Sequence, residues 1–261
     1  MPACYTLSVT RGAKGVERER KVSRSERLAF GFHAVEEALR AGEVERLVLL
    51  DGESGDASHL EALALERGIP VARHPERYLI SVVGRVAHQG VVAHVRPFVY
   101  APAQSLLGTG GPLVVCCGIE DPGNLGAVLR AAAGLGAGGV LVSDVGSARV
   151  TASVRKGAAG CLHKAPLARG DLVEFLKQAK EAKRKVFAAV PRDGRDLSDG
   201  WRPSDPEEGA PVLVVGSEGR GMPEDVLALA DERLTIPLQR DVESLNVAVA
   251  VGLLLWWASG R

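Results

Sequence analysis

PLVVCCGIEDPGNLGAVLR, residues 112–130, sets the architecture. Its first part, Leu113–Ile119, is an apolar run with no polar alternation. Its second part opens a helix read over Asn124–Gly134. A strand without alternation is covered on both faces, as strands joined by crossover helices in parallel sheets are. The pattern repeats downstream. Val140–Ser143, Val186–Val190, Val212–Gly216 and Leu234–Leu238 read as strands, and Asp171–Lys183 and Pro223–Ala230 as helices. Val247–Ala258 is a wholly apolar helix, too short for the ~18 residues a membrane span needs, so it reads as a core or dimer helix. Ser244 is placed as its cap. The alternation predicts an α/β fold with a parallel sheet.

A smaller α/β unit lies upstream. His33–Ala41 is a helix closed by Gly42, Arg46–Leu50 a strand, and His59–Arg67 a helix stopped by Gly68. Ile69–Ala72 is a short strand, Pro75 opens a helical turn, and His88–Val95 closes the unit. Pro97, Pro102, Gly108, Gly110, Gly111 and Pro112 mark a linker, with one short helix around Ala103–Leu107. The expected organisation is a basic arm over residues 1–27 (net +4), a small domain over 28–96, a linker over 97–111 and a larger domain over 112–261.

Composition narrows the function. Lys+Arg and Asp+Glu are both 32, so a polyanion would have to be met by local patches and the arm. Aromatic residues are only 4%, which disfavours a binder that stacks single-stranded bases. Residues 145–170 carry Arg149, Arg155, Lys156, Lys164 and Arg169 and no acid. They read either as a stripe that tracks an RNA backbone or as a solvated loop. Lys177, Lys180, Lys183, Arg184 and Lys185 form a second basic run. Cys4, Cys116, Cys117 and Cys161 contain no C-x-x-C pair and read as reduced thiols of a cytosolic protein. Cys116 and Cys117, as strand neighbours, point to opposite faces. No histidine has metal-ligand spacing with cysteine or carboxylate, so no metal is expected.

Three loops follow strands, where ligands bind in such sheets. The first is Glu120-Asp121-Pro122-Gly123-Asn124-Leu125-Gly126, with Arg130 beyond it. A helix N-terminus and an arginine suit an anion, although a plain cap and a solvated arginine would look the same. The second is Gly216-Ser217-Glu218-Gly219-Arg220-Gly221-Met222-Pro223, whose glycines allow close approach of a ligand or simply a turn. The third runs from Ile236-Pro237-Leu238 to Ser244-Leu245-Asn246. There Asn246, in the first turn of an apolar helix, needs a partner. Gly134, Gly136, Gly138 and Gly139 follow a helix instead of a strand, and so read as a helix stop and not as a dinucleotide fingerprint.

Together NLGAVLR (Asn124–Arg130), VGSEGRGM (Val215–Met222) and the Ile236–Ala250 segment resemble the SpoU (TrmH-like) group of SPOUT-class RNA ribose 2′-O-methyltransferases. Gly31–Leu39 and His88–Ala93 are similar to that family's small RNA substrate-binding domain, of ribosomal-protein type. The resemblance implies a deep trefoil knot in the larger domain, S-adenosylmethionine (AdoMet) as cofactor and a homodimer. It implies that Asn124, Arg130, Glu218, Ser244 and Asn246 are catalytic or place the substrate. It implies cofactor contacts from Gly216, Ser217, Gly219, Gly221, Met222, Ile236, Leu238, Leu245 and Asn246. Asn124 and Arg130 would reach from one subunit towards the pocket of the other.

The chemistry expected from the resemblance is methyl transfer to a ribose 2′-hydroxyl. Arginine is a poor base, so Arg130 would grip the neighbouring phosphate and activate the hydroxyl electrostatically. Asn124 and Asn246 would position RNA and loops, Glu218 would orient Asn124 or the RNA, and Ser244 would fix the third loop. A guanosine in 23S rRNA is the expected target. Transfer RNA is the close alternative, and a non-catalytic RNA-binding or ribosome-assembly factor is the alternative of another class.

Overall fold

The computed structural model describes residues 22–52, 55–199, 209–217 and 219–259. The first unit holds β1 (Leu28–Phe30), α1 (Phe32–Arg40), β2 (Val44–Leu50), α2 (Asp56–Glu66), β3 (Val71–His74), α3 (Glu76–Val83) and β4 (Val91–Val95). Its sheet order is β1-β4-β2-β3, with β4 antiparallel to both neighbours and β2 parallel to β3. Val35, Leu39, Leu60 and Ala64 of α1 and α2 cover one face, and Leu79 of α3 covers part of the other.

Three local features of this unit differ from the sequence reading, the first being β1, which was not expected. β4 starts at Val91 and not at His88, because Gln89 and Gly90 have positive φ and form a turn. The Gly90 N–H donates to Nδ1 of buried His88 (3.1 Å). Arg24–Arg27, expected in the arm, form one 3-10 turn. Glu26 anchors it, accepting from the Ser23 N–H (3.1 Å) and hydroxyl (2.9 Å). The rest of the arm, through residue 21, and Cys4 lie outside the described residues.

The larger unit follows with β5 (Leu113–Cys117), α4 (Pro122–Leu135), β6 (Gly139–Ser143), α5 (Ala152–Ala158), β7 (Leu167–Gly170) and α6 (Leu172–Glu181). Then come β8 (Arg184–Ala189), β9 (Arg195–Asp196), β10 (Gly209–Gly216), α7 (Glu224–Leu227), β11 (Glu232–Thr235) and α8 (Val247–Ala258). The seven strands lie in the order β7-β6-β5-β10-β8-β11-β9, and every pair is parallel. α4 and α8 cover one face, α6 and α7 the other. Both faces of the strands are therefore buried, as their unbroken apolar runs require. Among the described residues no helix is long and apolar enough to cross a membrane.

Cys116 packs into the core under α4 and Cys117 into the core under α6, so the adjacent thiols face opposite ways. Burial raises both, and burial with the charge of Asp225 pushes Cys117 up to about 12. The thiolate is the reactive form. Iodoacetamide at pH 8 is therefore expected to leave both unmodified in the folded protein and to label both after denaturation, read by peptide mass.

Gly126 lies where α4 crosses α5. A Cβ there would sit 2.8 Å from the Gly157 Cα and 2.8 Å from the Val154 carbonyl oxygen. Gly126→Ala is expected to destabilise the fold by about 1–3 kcal/mol through overpacking, measured by urea denaturation. This glycine serves helix packing. The Gly134–Gly139 series does likewise. Gly136 caps α4 in the left-handed region, and a Cβ on Gly139 would meet Leu106 at 2.7 Å.

Candidate active site

The site forms where the carboxyl ends of β5 and β10 meet the first turns of α4 and α8. Pro122 cannot donate a backbone hydrogen bond and so suits the start of α4. Asp121 caps that helix, its Oδ1 accepting from the Asn124 N–H at 2.7 Å. Asn124 is therefore a first-turn residue and not the cap. The cap of α8 is Asn246, whose Oδ1 accepts from the Ala248 N–H at 2.9 Å. Ser244, expected in that role, is exposed and two residues outside the helix. An Asx cap two residues closer outcompetes it, which the apolar helix pattern concealed.

The Asn246 Nδ2 then donates to Asn124 Oδ1 at 2.7 Å. This bond joins the first and third loops within one chain. Asn246 is exposed and not buried as the apolar run suggested, and both ends of its carboxamide are engaged.

The second loop closes on itself. The Ser217 N–H donates to the Gly221 carbonyl (3.3 Å) and the Gly221 N–H to the Ser217 carbonyl (2.9 Å). Gly221 has φ +65°, and a Cβ on Gly216 would lie 2.4 Å from the Gly221 carbonyl carbon. These two glycines build the turn. A Cβ on Gly219 or Gly221 would meet open space among the described residues, so a ligand can approach the loop there.

A cavity of about 240 Å³ lies between the loops. Glu120, Asp121 and Asn124 line it from one side, Ser217, Gly219 and Arg220 from the other, with Val247 at the start of α8. Arg220 and Glu120 face each other across it at 3.4 Å, both largely exposed, so the pair is weak. Of the expected residues, Asn124, Ser217 and Gly219 line the cavity and Asn246 is bonded to it. Ile236, Leu238, Ser244 and Leu245 belong to the segment between β11 and α8 and do not line it. Met222 packs against the core under α6 and α7. Glu218 lies outside the described residues. Arg130 is exposed on α4, has no partner among the described residues and does not line the cavity. Six residues of helix put it about 9 Å along the axis and about 120° around it from Asn124.

Sequence reasoning assigned no role to Glu120, Asp121 or Arg220. Two acids directly after a buried parallel strand were the available signal, since that strand end is where ligands lie. Their carboxylates suit a cationic ligand.

The basic stretches are largely structural. Arg155 is 2% exposed and ion-paired with Glu43, and Lys156 donates to Gln89 Oε1 at 2.5 Å. Arg169 donates to the carbonyls of Ser143, Ser147 and Ala148, fixing the loop after β6. Arg184 is buried and donates to the carbonyls of Thr109, Gly111 and Ala210, pinning the linker. Lys180 pairs with Asp231 at 2.5 Å. Of the stretch that read either as an RNA-tracking stripe or as a solvated loop, Arg155, Lys156 and Arg169 are bonded in α5, β7 and their neighbours, while Lys164 is exposed.

Residues 111–256 match the model of the SpoU rRNA methylase family, and residues 28–101 match the RNA 2′-O ribose methyltransferase substrate-binding model. An uncharacterized tRNA/rRNA methyltransferase of Mycobacterium avium (strain 104) is 35% identical over 235 residues, covering 87% of this chain and 74% of that protein. The AdoMet-bound rRNA methyltransferase from Sinorhizobium meliloti aligns with a TM-score of 0.73 and 25% identity, over 88% of this chain and 85% of that one. The SpoU methyltransferase AviRb from Streptomyces viridochromogenes, solved with AdoMet, has a TM-score of 0.71 at 21% identity over 88% and 87%, and supports the fold alone. The chain belongs to the SpoU rRNA methylase family, whose members are AdoMet-dependent RNA methyltransferases.

Proposed function

We propose that the protein methylates the ribose 2′-hydroxyl of a guanosine in 23S rRNA, as a homodimer with a site completed by Arg130 of the second copy. The observation that carries this reading is the Asn124–Asn246 hydrogen bond, which joins two of the three loops around one cavity. In this reading residues 28–96 grip RNA, 97–111 link, and 112–261 hold the methyltransferase site. The substrate-binding match over residues 28–101 supports RNA contacts beyond the target nucleotide, and the resemblance to rRNA-directed members of the family favours ribosomal RNA over transfer RNA.

The cavity residues fit the cofactor. Glu120 and Asp121 offer negative charge to a cation, Gly219 leaves room for close approach, and Ile119 and Val247 add apolar wall. Ser217, Gly216, Gly221 and Asn246 shape the loops that would hold it, with Met222, Ile236, Leu238 and Leu245 behind them. AdoMet bound there supplies an activated methyl group, so no metal is needed to activate the donor. The protein's task is to align the hydroxyl and assist loss of its proton. Arg130 holds the phosphate beside the reacting ribose and stabilises the developing oxyanion. Asn124 keeps an NH2 group without a partner among the described residues, available to RNA. Glu218 and Ser244 complete the second and third loops.

Two observations support the dimer. α8 is apolar all round, yet Val249 (52%), Leu253 (40%) and Trp256 (51%) are exposed at helical spacing. Such a stripe asks for a covering partner. Arg130, unpartnered on the neighbouring α4, lies too far round its helix to serve the cavity of its own chain. The knot belongs to this reading too. β10 lies between β5 and β8, and α8 returns onto α4, which suits a C-terminal segment threaded under an earlier loop.

Incubation with methyl-labelled AdoMet and either ribosomal or transfer RNA tests the reading, with ribose methylation mapped to the nucleotide. Label on a 2′-oxygen of 23S rRNA is the expected result. Label on transfer RNA alone would replace the target, and no label on any RNA would overturn the activity.

A further inference from the structure

The first unit and the larger one meet at α5, and they meet through charge. Arg155 on α5 is buried, and its Nη1 donates to Glu43 Oε2 at 2.6 Å across 112 residues of sequence. Its Nε and Nη2 have no partner among the described residues, where Glu43 orients the guanidinium. His163 Nε2 stands 3.4 Å from the same carboxylate oxygen, and its backbone N–H donates to Glu37 Oε1 at 2.8 Å. Beside them Lys156 bonds Gln89, whose oxygen also accepts from the Phe32 N–H at 3.3 Å. Ala152 inserts among Leu28, Phe30 and Val92 of the small sheet.

The opposite side of α5 packs on α4 with no slack. Gly126 and Gly157 touch backbone to backbone there. α4 carries Asn124 and Arg130. A rigid path therefore runs from the small sheet through α5 to the site. Apolar contact is non-directional and lets surfaces slide. A buried, charge-assisted bond fixes orientation as well as distance.

We propose that Glu43 and Arg155 are a positioning pair, which holds the RNA-gripping unit in one orientation over the methylation site. The protein itself then sets the spacing between the RNA element gripped and the ribose methylated. This rests on the reading that residues 28–96 bind RNA and the larger unit methylates it. It predicts a substrate with a rigid structure spanning both units, and poor turnover of short unstructured oligonucleotides.

The test replaces the pair by apolar residues, Glu43→Leu with Arg155→Met, because such replacements usually preserve stability where loss of one partner does not. Spin labels at Glu66→Cys and Lys177→Cys, both exposed, with Cys4 and Cys161 replaced by serine, report the distance between the units. The unsubstituted pair should give one narrow distance and the apolar double variant a broad distribution, with the melting temperature and AdoMet affinity unchanged. RNA kcat/KM should fall about 10- to 100-fold, and methyl groups should spread to neighbouring nucleotides. A double variant with the same narrow distance, or with wild-type efficiency at the same single nucleotide, overturns the proposal. Should the unsubstituted protein place no methyl on RNA, the RNA reading falls, and the distance distribution alone decides the positioning pair.

Discussion

Arg130→Ala is expected to lower the rate of methyl transfer by at least about 100-fold, the usual loss when a preorganised charge that stabilises a developing oxyanion is removed. AdoMet affinity should stay within about twofold, because Arg130 does not line the cavity of its own chain. Its exposure on α4, without a hydrogen bond or ion pair among the described residues, means that little folding stability depends on it. The melting temperature should therefore be unchanged. Single-turnover methylation with labelled AdoMet, beside calorimetric titration of the cofactor, separates the two effects. Arg130→Lys should recover only part of the rate, since a lysine cannot grip a phosphate in a two-point fork. A near wild-type rate in Arg130→Ala would remove this residue from the chemistry.

Trp256→Glu is expected to turn the dimer into a monomer and to remove turnover by a similar factor. Trp256 is half exposed in the single chain while Trp257, beside it, is buried against Phe187. The substitution therefore leaves the protomer core intact and places a charge where a second copy would lie. Buried tryptophans at interfaces carry about 2 kcal/mol or more of binding energy, and an uncompensated charge adds to that loss. Sedimentation at micromolar concentration reads the oligomeric state, and the methyl-transfer assay reads the consequence. A Trp256→Glu dimer with full activity would show that this face of α8 is not the interface.

The central strands of the larger unit were readable because they are apolar runs. Leu113–Cys117 lies inside its expected run, and Gly209–Gly216 contains the expected Val212–Gly216 with three residues more. The short elements were not. β1 is three residues, paired only through β4, and too short to show a period. α5 was hidden inside a basic stretch in which Arg155 is buried and Lys156 bonded, which composition cannot distinguish from a solvated loop. Arg155 is the plainest case. Nothing local announces a buried guanidinium, since its partner Glu43 is far away in sequence.

The site was readable as residue types, and less so as geometry. Asn124 and Asn246 stood out as carboxamides needing partners, and they partner each other. Glu120, Asp121 and Arg220 did not stand out, because a single sequence gives charged loop residues no address. The sequence points to Ser244 as the cap of α8, and leaves the cap of α4 open, for one reason. Asp121 and Asn246 each sit next to other residues able to cap, and which one wins depends on where the chain turns.

In the proposed homodimer each site is shared between two chains, with the cavity from one and Arg130 from the other. Co-expressing Arg130→Ala and Asn246→Ala chains with different affinity tags, and isolating the mixed dimer, tests it most directly. One of its two sites would carry both substitutions and the other neither, so the mixed dimer should regain about half the wild-type rate while each parent stays inactive. A mixed dimer no more active than its parents would place Arg130 and the cavity in the same chain and contradict the claim.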